Sequence, residues 1–232
     1  MPRYVVLFEK GGYTKYISHL DLLRVFKRAF KVMGLDVRYS NGFNPHPKMS
    51  FAQPLSLGYS SLCEYLEFET ISPHDEESLR DELSDNLPRD LVIRDLFRFD
   101  TEVKTLAAES VACEYRIFLP YDGTEEEFSE IFASYMAQEK ITALKKMKKT
   151  KTMEEVDIKD KIRSWKVSKD GEYAVIDCIL DSGSHSNLSP ELIIKSFLDF
   201  SKLPLMRWDL EVQRVRQFFT DRIQFRHIDN AL

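Results

Sequence analysis

Arg3-Tyr-Val-Val-Leu-Phe-Glu-Lys-Gly-Gly12, followed by Ser18-His-Leu-Asp-Leu-Leu-Arg-Val-Phe-Lys-Arg-Ala-Phe-Lys-Val-Met-Gly34, sets the pattern of the chain. Tyr4 to Phe8 are all strand formers, so residues 3–9 read as a strand. Gly11-Gly12 turns the chain. Ser18 and Asp21 have the spacing of a capping box, in which a side-chain oxygen answers an orphan amide of the first helical turn. Gly34 is placed to end that helix. At about 100° per residue, Leu22, Leu23, Val25, Phe26, Ala29, Phe30 and Met33 share one side, and Arg24, Lys27, Arg28 and Lys31 share the other.

Working outward, residues 35–40 read as a short strand and 41–58 as a loop rich in Gly, Asn and Pro. Cys63 to Thr70 is a strand. Ser72 or Pro73 opens a helix reaching about Asn86, and Leu91 to Phe99 is a strand. The order is β-α-β-β-α-β, that of a ferredoxin-like unit. Residues 101–112 carry no pattern and read as a linker between a domain over 1–100 and a second over 113–232. The second half repeats the element order without residue similarity. Cys113–Pro120 is a strand, Thr124 and Glu127 form a capping box, and Ile141 to about Thr150 is a strand. Glu155–Arg163 is a short helical insert, and Tyr173–Leu180 a strand. Ser189-Pro190 starts a helix, and Asp209–Phe219 is the last strand. The expected fold class is α+β, with two tandem ferredoxin-like units, antiparallel sheets and helices on one face.

The chain has 232 residues, 43% of them hydrophobic, with 16 Phe and 10 Tyr, so a sizeable core is available, which argues against disorder. Cys63, Cys113 and Cys178 are far apart and form no CxxC pair, which points to buried free thiols in a reducing cytoplasm rather than a metal site. No apolar run of about 18 residues marks a membrane span, and the apolar run at the start is too short for a signal peptide. No cofactor is expected. The formal charge of −5 disfavours a dedicated non-specific nucleic-acid binder, although clustering of cations matters more than their total.

Tyr39-Ser-Asn-Gly-Phe-Asn-Pro-His-Pro-Lys48 is the segment best suited to binding. Each proline restricts the residue before it to extended geometry, which stiffens the backbone around Asn44 and His46. Tyr39 and Phe43 offer stacking surfaces, and Lys48 a charge. In the expected topology the first βα turn and the loop after the second strand leave the same end of the sheet. That places Ser18-His19 beside the 40–50 loop. His19, His46 and Asp21 then become candidates for an acid–base set, against the plainer roles of cap and packed side chain. The stripe Arg24, Lys27, Arg28, Lys31 is either a solvated face or a phosphate track. Lys145, Lys146, Lys148, Lys149 and Lys151 form a second basic run, either a further RNA- or partner-binding patch or an exposed edge or hairpin, with Glu154, Glu155 and Asp157 locally offsetting its charge.

Tyr16-Ile-Ser-His-Leu-Asp-Leu-Leu-Arg24, Phe26-Lys-Arg-Ala-Phe30, the loop extended to Met49-Ser-Phe51, Pro54-Leu-Ser-Leu-Gly58 and Glu64-Tyr-Leu-Glu67 together resemble the radical-SAM-linked protein family. This is a bacterial family encoded beside, or fused to, radical-SAM proteins. The resemblance is dense over 3–70. It is thinner beyond, where Lys148-Lys-Thr-Lys151 and Glu155-Val-Asp-Ile-Lys-Asp-Lys-Ile162 are similar to the family's second-half pattern. It implies a separately encoded radical-SAM protein as partner, since this chain lacks the CxxxCxxC triad of such an enzyme. The tandem element order also resembles the repeat-processing proteins of CRISPR systems, at the level of fold. The expected function is that of an accessory protein, without catalysis of its own, binding a tRNA-like RNA, the radical-SAM partner, or both. The alternatives are an endoribonuclease using His19 and His46, and a pure protein-interaction module.

Overall fold

The computed structural model describes residues 1–147, 150–223 and 225. The class is mixed α+β with antiparallel strand pairing. The chain divides into two compact units, Met1–Val111 with Arg214–Leu232, and Ala112–Gln213.

The first unit runs β1 (Arg3–Lys10), α1 (His19–Val32), β2 (Met49–Phe51), β3 (Ser60–Glu69), α2 (Glu76–Asp85), β4 (Leu91–Arg98) and α3 (Leu106–Glu109). β10 (Glu211–Phe219) contributes its residues from Arg214 on. β1 lies between β4 and β3. β1 fills one edge of β3, so β2, paired to Leu66–Phe68, and β10 share the other. Alternation along β1 serves two cores, one on each face of the sheet. Tyr4, Val6 and Phe8 join Leu22, Phe26, Ala29 and Phe30 of α1 and Leu79 and Leu83 of α2. Val5 joins Tyr65, Leu106, Phe219 and Phe225 on the opposite face. α1 starts as its spacing predicts: Ser18 Oγ accepts from Asp21 N at 3.2 Å. Gly34 follows its end with φ of +67°, a conformation costly for any residue with a Cβ.

Three readings of the chain need correction here. Residues 35–40 form no strand, only the isolated bridges Val37↔Thr70 and Tyr39↔Pro47. The paired strand comes ten residues later, at Met49–Phe51. Residues 101–112 are not patternless. Thr105 caps α3 by accepting from Ala108 N at 3.1 Å, while Val103 and Leu106 are buried. Glu155–Arg163 holds no α-helix. It carries the end of a strand, a 3-10 turn at Lys159–Lys161 and the start of another strand.

The second unit comprises most of β5 (Ser110–Pro120), then α4 (Glu125–Ala137), β6 (Thr142–Lys146), β7 (Met153–Asp157), β8 (Ile162–Asp170), β9 (Tyr173–Asp181) and α5 (Pro190–Ser201). β9 lies between β5 and β8. β6 and β7 make a separate two-stranded hairpin. Thr124 and Glu127 form the expected capping box at α4, and Pro190 is the first residue of α5. Phe128, Phe132, Tyr135 and Phe197 pack ring to ring between α4 and α5. Cys63, Cys113 and Cys178 are buried and in no disulfide among the described residues, and burial pushes the Cys178 thiol up to about 12. No helix among the described residues is long and apolar enough to cross a membrane.

Candidate nucleic-acid interface

α1 buries its apolar stripe and turns Arg24, Lys27, Arg28 and Lys31 to solvent. The only acid on the helix is Asp21. Its carboxylate is held below the usual range, first by the hydrogen bond from Ser18 Oγ (2.6 Å), then by Arg24 (2.5 Å). Arg24 is thus engaged. Lys27, Arg28 and Lys31 have no ion pair among the described residues. Residues three and four apart are neighbours on a helix surface, so these three cations crowd one patch.

The proline loop is a compact, self-bonded turn. Ser40 N donates to His46 O at 2.8 Å, His46 N donates to Ser40 Oγ at 3.1 Å, and Ser40 Oγ lies 3.0 Å from His46 Nδ1. Arg38 and Lys48 reach Glu69 from the two arms of the loop, at 2.8 and 3.5 Å. Asn44 and His46 are exposed and Tyr39 is 53% exposed. Phe43 at the tip is 109% exposed, so its ring touches nothing in the fold. A stiff backbone that holds an aromatic ring in water is suited to contact with another molecule.

The expected meeting of His19 with this loop does not occur. Val37↔Thr70 and Met49↔Phe68 fix the loop near the Glu69 end of β3, which faces Arg3 at the start of β1. His19 follows the other end of β1, past Lys10. There its ring packs edge-on against Phe51, with centroids 5.2 Å apart. Its pKa is lowered by burial and then by the Lys10 charge. His19, Asp21 and His46 therefore form no acid–base set. The error has one cause: the paired strand follows the loop instead of preceding it.

In the β6–β7 hairpin, Lys145 stands directly opposite Glu154, and Lys146 opposite Met153. Lys151 takes a left-handed φ of 57° in the connection. Lys148 and Lys149 lie outside the described residues. Glu154 offsets Lys145 across the hairpin, whereas Lys27, Arg28 and Lys31 on α1 have no ion pair among the described residues.

Two features escaped the sequence reading. Tyr13 and Tyr16, 87% and 62% exposed, flank Lys15 just before α1, and Lys15 Nζ lies 5.3 Å from the Tyr16 ring centroid. Their position just after the Gly-Gly turn is the local signal that places them in a loop. Lys10, Glu64 and Arg214 form a charged cluster inside the unit, each 2% exposed. Arg214 Nη1 donates to Glu64 at 2.9 Å and to Gln53 O at 3.1 Å, and Nη2 donates to Pro54 O at 3.0 Å. Nothing local in the sequence marks these three as buried. Among the described residues, no group of three or more His, Cys, Asp or Glu gathers as a metal site.

Residues 3–190 match the family model described as "Uncharacterized protein conserved in bacteria (DUF2344)". The chain belongs to this family. The matched span of the DUF2344 chain takes in α1, the proline loop and the β6–β7 hairpin. No curated protein matches it. Among solved structures, one described as "Crystal Structure of a Cbf5-Nop10-Gar1 Complex" is similar with a TM-score of 0.49 at 11% identity, over 94% of the DUF2344 chain and 50% of the other. The chain thus spans half the length of that relative. A second, "Crystal Structure of an Unknown Protein from Galdieria sulphuraria", has a TM-score of 0.25 at 9% identity, over 92% and 96% of the two chains. At these scores neither likeness bears on what the DUF2344 protein does.

Proposed function

We propose that this protein is an accessory RNA-binding protein of the bacterial cytoplasm, without catalysis of its own, that holds a tRNA-like substrate for a radical-SAM enzyme supplied by another chain. The observation that carries the RNA-binding part is the patch Lys27, Arg28, Lys31, exposed and without counter-ions among the described residues, in a chain of net charge −5. Concentrated positive charge on an acidic protein favours a polyanion at that face. Tyr13 and Tyr16, beside Lys15 at the start of α1, supply rings on which unpaired bases stack. The radical-SAM partnership rests on the resemblance carried by residues 3–70. Tandem ferredoxin-like units belong to the same reading, supported by the order β4-β1-β3-β2 in the first unit and by an inserted β6–β7 hairpin in the second.

Filter binding of a bulk tRNA fraction at increasing salt tests the proposal. Binding that weakens steeply with salt, and that falls when Lys27, Arg28 and Lys31 are changed to Ala together, supports it. No binding at low salt, or binding indifferent to the triple change, rejects it.

A second reading is favoured by Phe43. A fully exposed ring on a stiff loop suits a protein contact, and the loop then docks on the radical-SAM partner. Co-purification with that partner, lost in Phe43→Ala while RNA binding persists, assigns the loop to a protein interface.

A further inference from the structure

In the second unit β8 has β9 on one side and no strand on the other among the described residues. Alternate residues of an antiparallel strand turn their amide and carbonyl to opposite edges. Tyr121 N donates to Glu172 O at 2.9 Å, which fixes the alternation in β9: Ala174, Ile176 and Cys178 are bonded to β5. Lys169, Val167 and Trp165 stand across from these three in β8, so their groups turn outward. Lys169 shows this directly, since its amide donates to Glu125 Oε2 at 2.9 Å. The Glu125 carboxylate stands in for the carbonyl of a further strand. The outward amides and carbonyls of Val167 and Trp165 have no protein partner among the described residues.

The charges on this edge select what can cover it. Lys166 and Asp170 are both exposed and make no ion pair among the described residues. Asp177, across from Lys166 in β9, is taken by Arg116 at 2.7 Å. Lysines on an edge strand generally keep other strands away. This edge also carries an anion at its end, so an antiparallel strand of the same sequence can answer both charges. In such a pair outward residues must face outward residues, which places the two-fold axis on a residue rather than between two. An axis at Lys166 sets like charges face to face, and an axis at Val167 leaves the two lysines as diagonal neighbours. An axis at Ser168 puts Lys166 of each copy directly across from Asp170 of the other, and Val167 across from Lys169. Trp165 then faces Gly171, which has no side chain to obstruct its ring and open space around it.

We propose that β8 is an interface between two copies of this chain, paired antiparallel about a two-fold axis at Ser168. The outward groups of Val167 and Lys169 bond across the axis. The carbonyl of Val167 in the second copy takes the place of the exposed Glu125 carboxylate at Lys169 N, and the two Lys166–Asp170 pairs fix the register. A strand-edge contact is smaller than a standard interface, so the copies associate at micromolar concentrations rather than below. The inference does not rest on the RNA-binding reading.

Sedimentation velocity on the full chain without RNA, at concentrations up to roughly 300 µM, tests this. The expected result is a dimer whose fraction grows with concentration. Lys166→Glu alone and Asp170→Lys alone each set like charges across the axis twice, and each weakens association about tenfold or more. The two changes together restore the opposite charges and bring association back to within about threefold of the unaltered protein. Val167→Pro removes an amide that the single chain leaves unbonded, a change that an edge strand tolerates, and it abolishes the dimer while the circular dichroism spectrum is kept. The proposal is overturned if the protein is monomeric throughout, if neither single reversal weakens the dimer, if the double reversal fails to restore it, or if Val167→Pro dimerises like the unaltered protein.

Discussion

Arg214 of β10 and Glu64 of β3 form an ion pair at 2.9 Å with both side chains 2% exposed. Arg214 also holds the carbonyls of Gln53 and Pro54, so one side chain ties the C-terminal strand to β3 and to the segment after β2. Lys10 lies in the same cluster. Burial raises the Glu64 pKa and lowers that of Lys10, each opposed by the partner's charge. Such a cluster contributes little net stability, yet breaking it strands a charge.

The first prediction follows from that asymmetry. Arg214→Ala removes the guanidinium that donates to Glu64 and to two carbonyls, leaving Glu64 with only Ser61 and the Lys10 charge, and should cost about 3–5 kcal/mol. Replacing the cluster together, with Lys10→Met, Glu64→Leu and Arg214→Met, should recover most of the loss because no charge is left alone. Urea unfolding measures both. A loss below about 1 kcal/mol for Arg214→Ala would mean that the pair is not buried as described.

The second concerns pH. His19 has a folded pKa below its ordinary 6.5, through burial and then the Lys10 charge. As pH falls below about 6.5 the unfolded chain takes up this proton before the folded one, so His19 makes stability decline with acidification. The contribution is present above that pH and is lost as pH falls through the folded value. His19→Gln should therefore flatten the fall in melting temperature between about pH 6.5 and pH 5. Parallel slopes for the two proteins would show that His19 titrates as in the unfolded chain.

The third contrasts two phenylalanines eight residues apart. Phe43 touches nothing, so Phe43→Ala should change stability by no more than about 0.5 kcal/mol. Phe51 is 6% exposed and packs against Phe8, Phe26 and His19, so Phe51→Ala should cost about 3–5 kcal/mol. Thermal melts of both variants test this. A large loss for Phe43→Ala would place its ring in the core rather than in water.

What could be read from sequence was local. Ser18, Thr124 and Pro190 announce their helices because a cap or a first-turn proline acts within four residues. The period of α1 separates its buried and basic faces for the same reason. What was misread depends on distant partners. Val37 and Tyr39 look like a strand but find only single bridges, whereas Met49–Phe51 gains Leu66–Phe68. That shift of pairing carries the proline loop to the opposite end of the sheet from His19. Glu154 and Glu155 favour a helix on their own, yet in β7 they lie across from Lys145 and Leu144, and the cross-strand contact decides. The depth of Lys10, Glu64 and Arg214 is set by residues far away in the chain.

The last prediction returns to α1. If Lys27, Arg28 and Lys31 each meet one RNA phosphate, each releases a bound counter-ion. The slope of log K against log salt is then about −0.7 to −0.9 per contact. Removing all three should make the slope shallower by about two to three units. The side chains are exposed and bear no ion pair among the described residues, so the melting temperature should barely move. Changing Tyr13 and Tyr16 to Ala should act differently. It removes stacking worth about 1–3 kcal/mol per base while leaving the salt slope as it was, because no phosphate contact is lost. Anisotropy titrations of a labelled RNA at four salt concentrations distinguish the two effects. A slope unchanged by the triple substitution would show that this face does not carry the RNA backbone, and a tyrosine variant that alters the slope would show that these rings do not act by stacking.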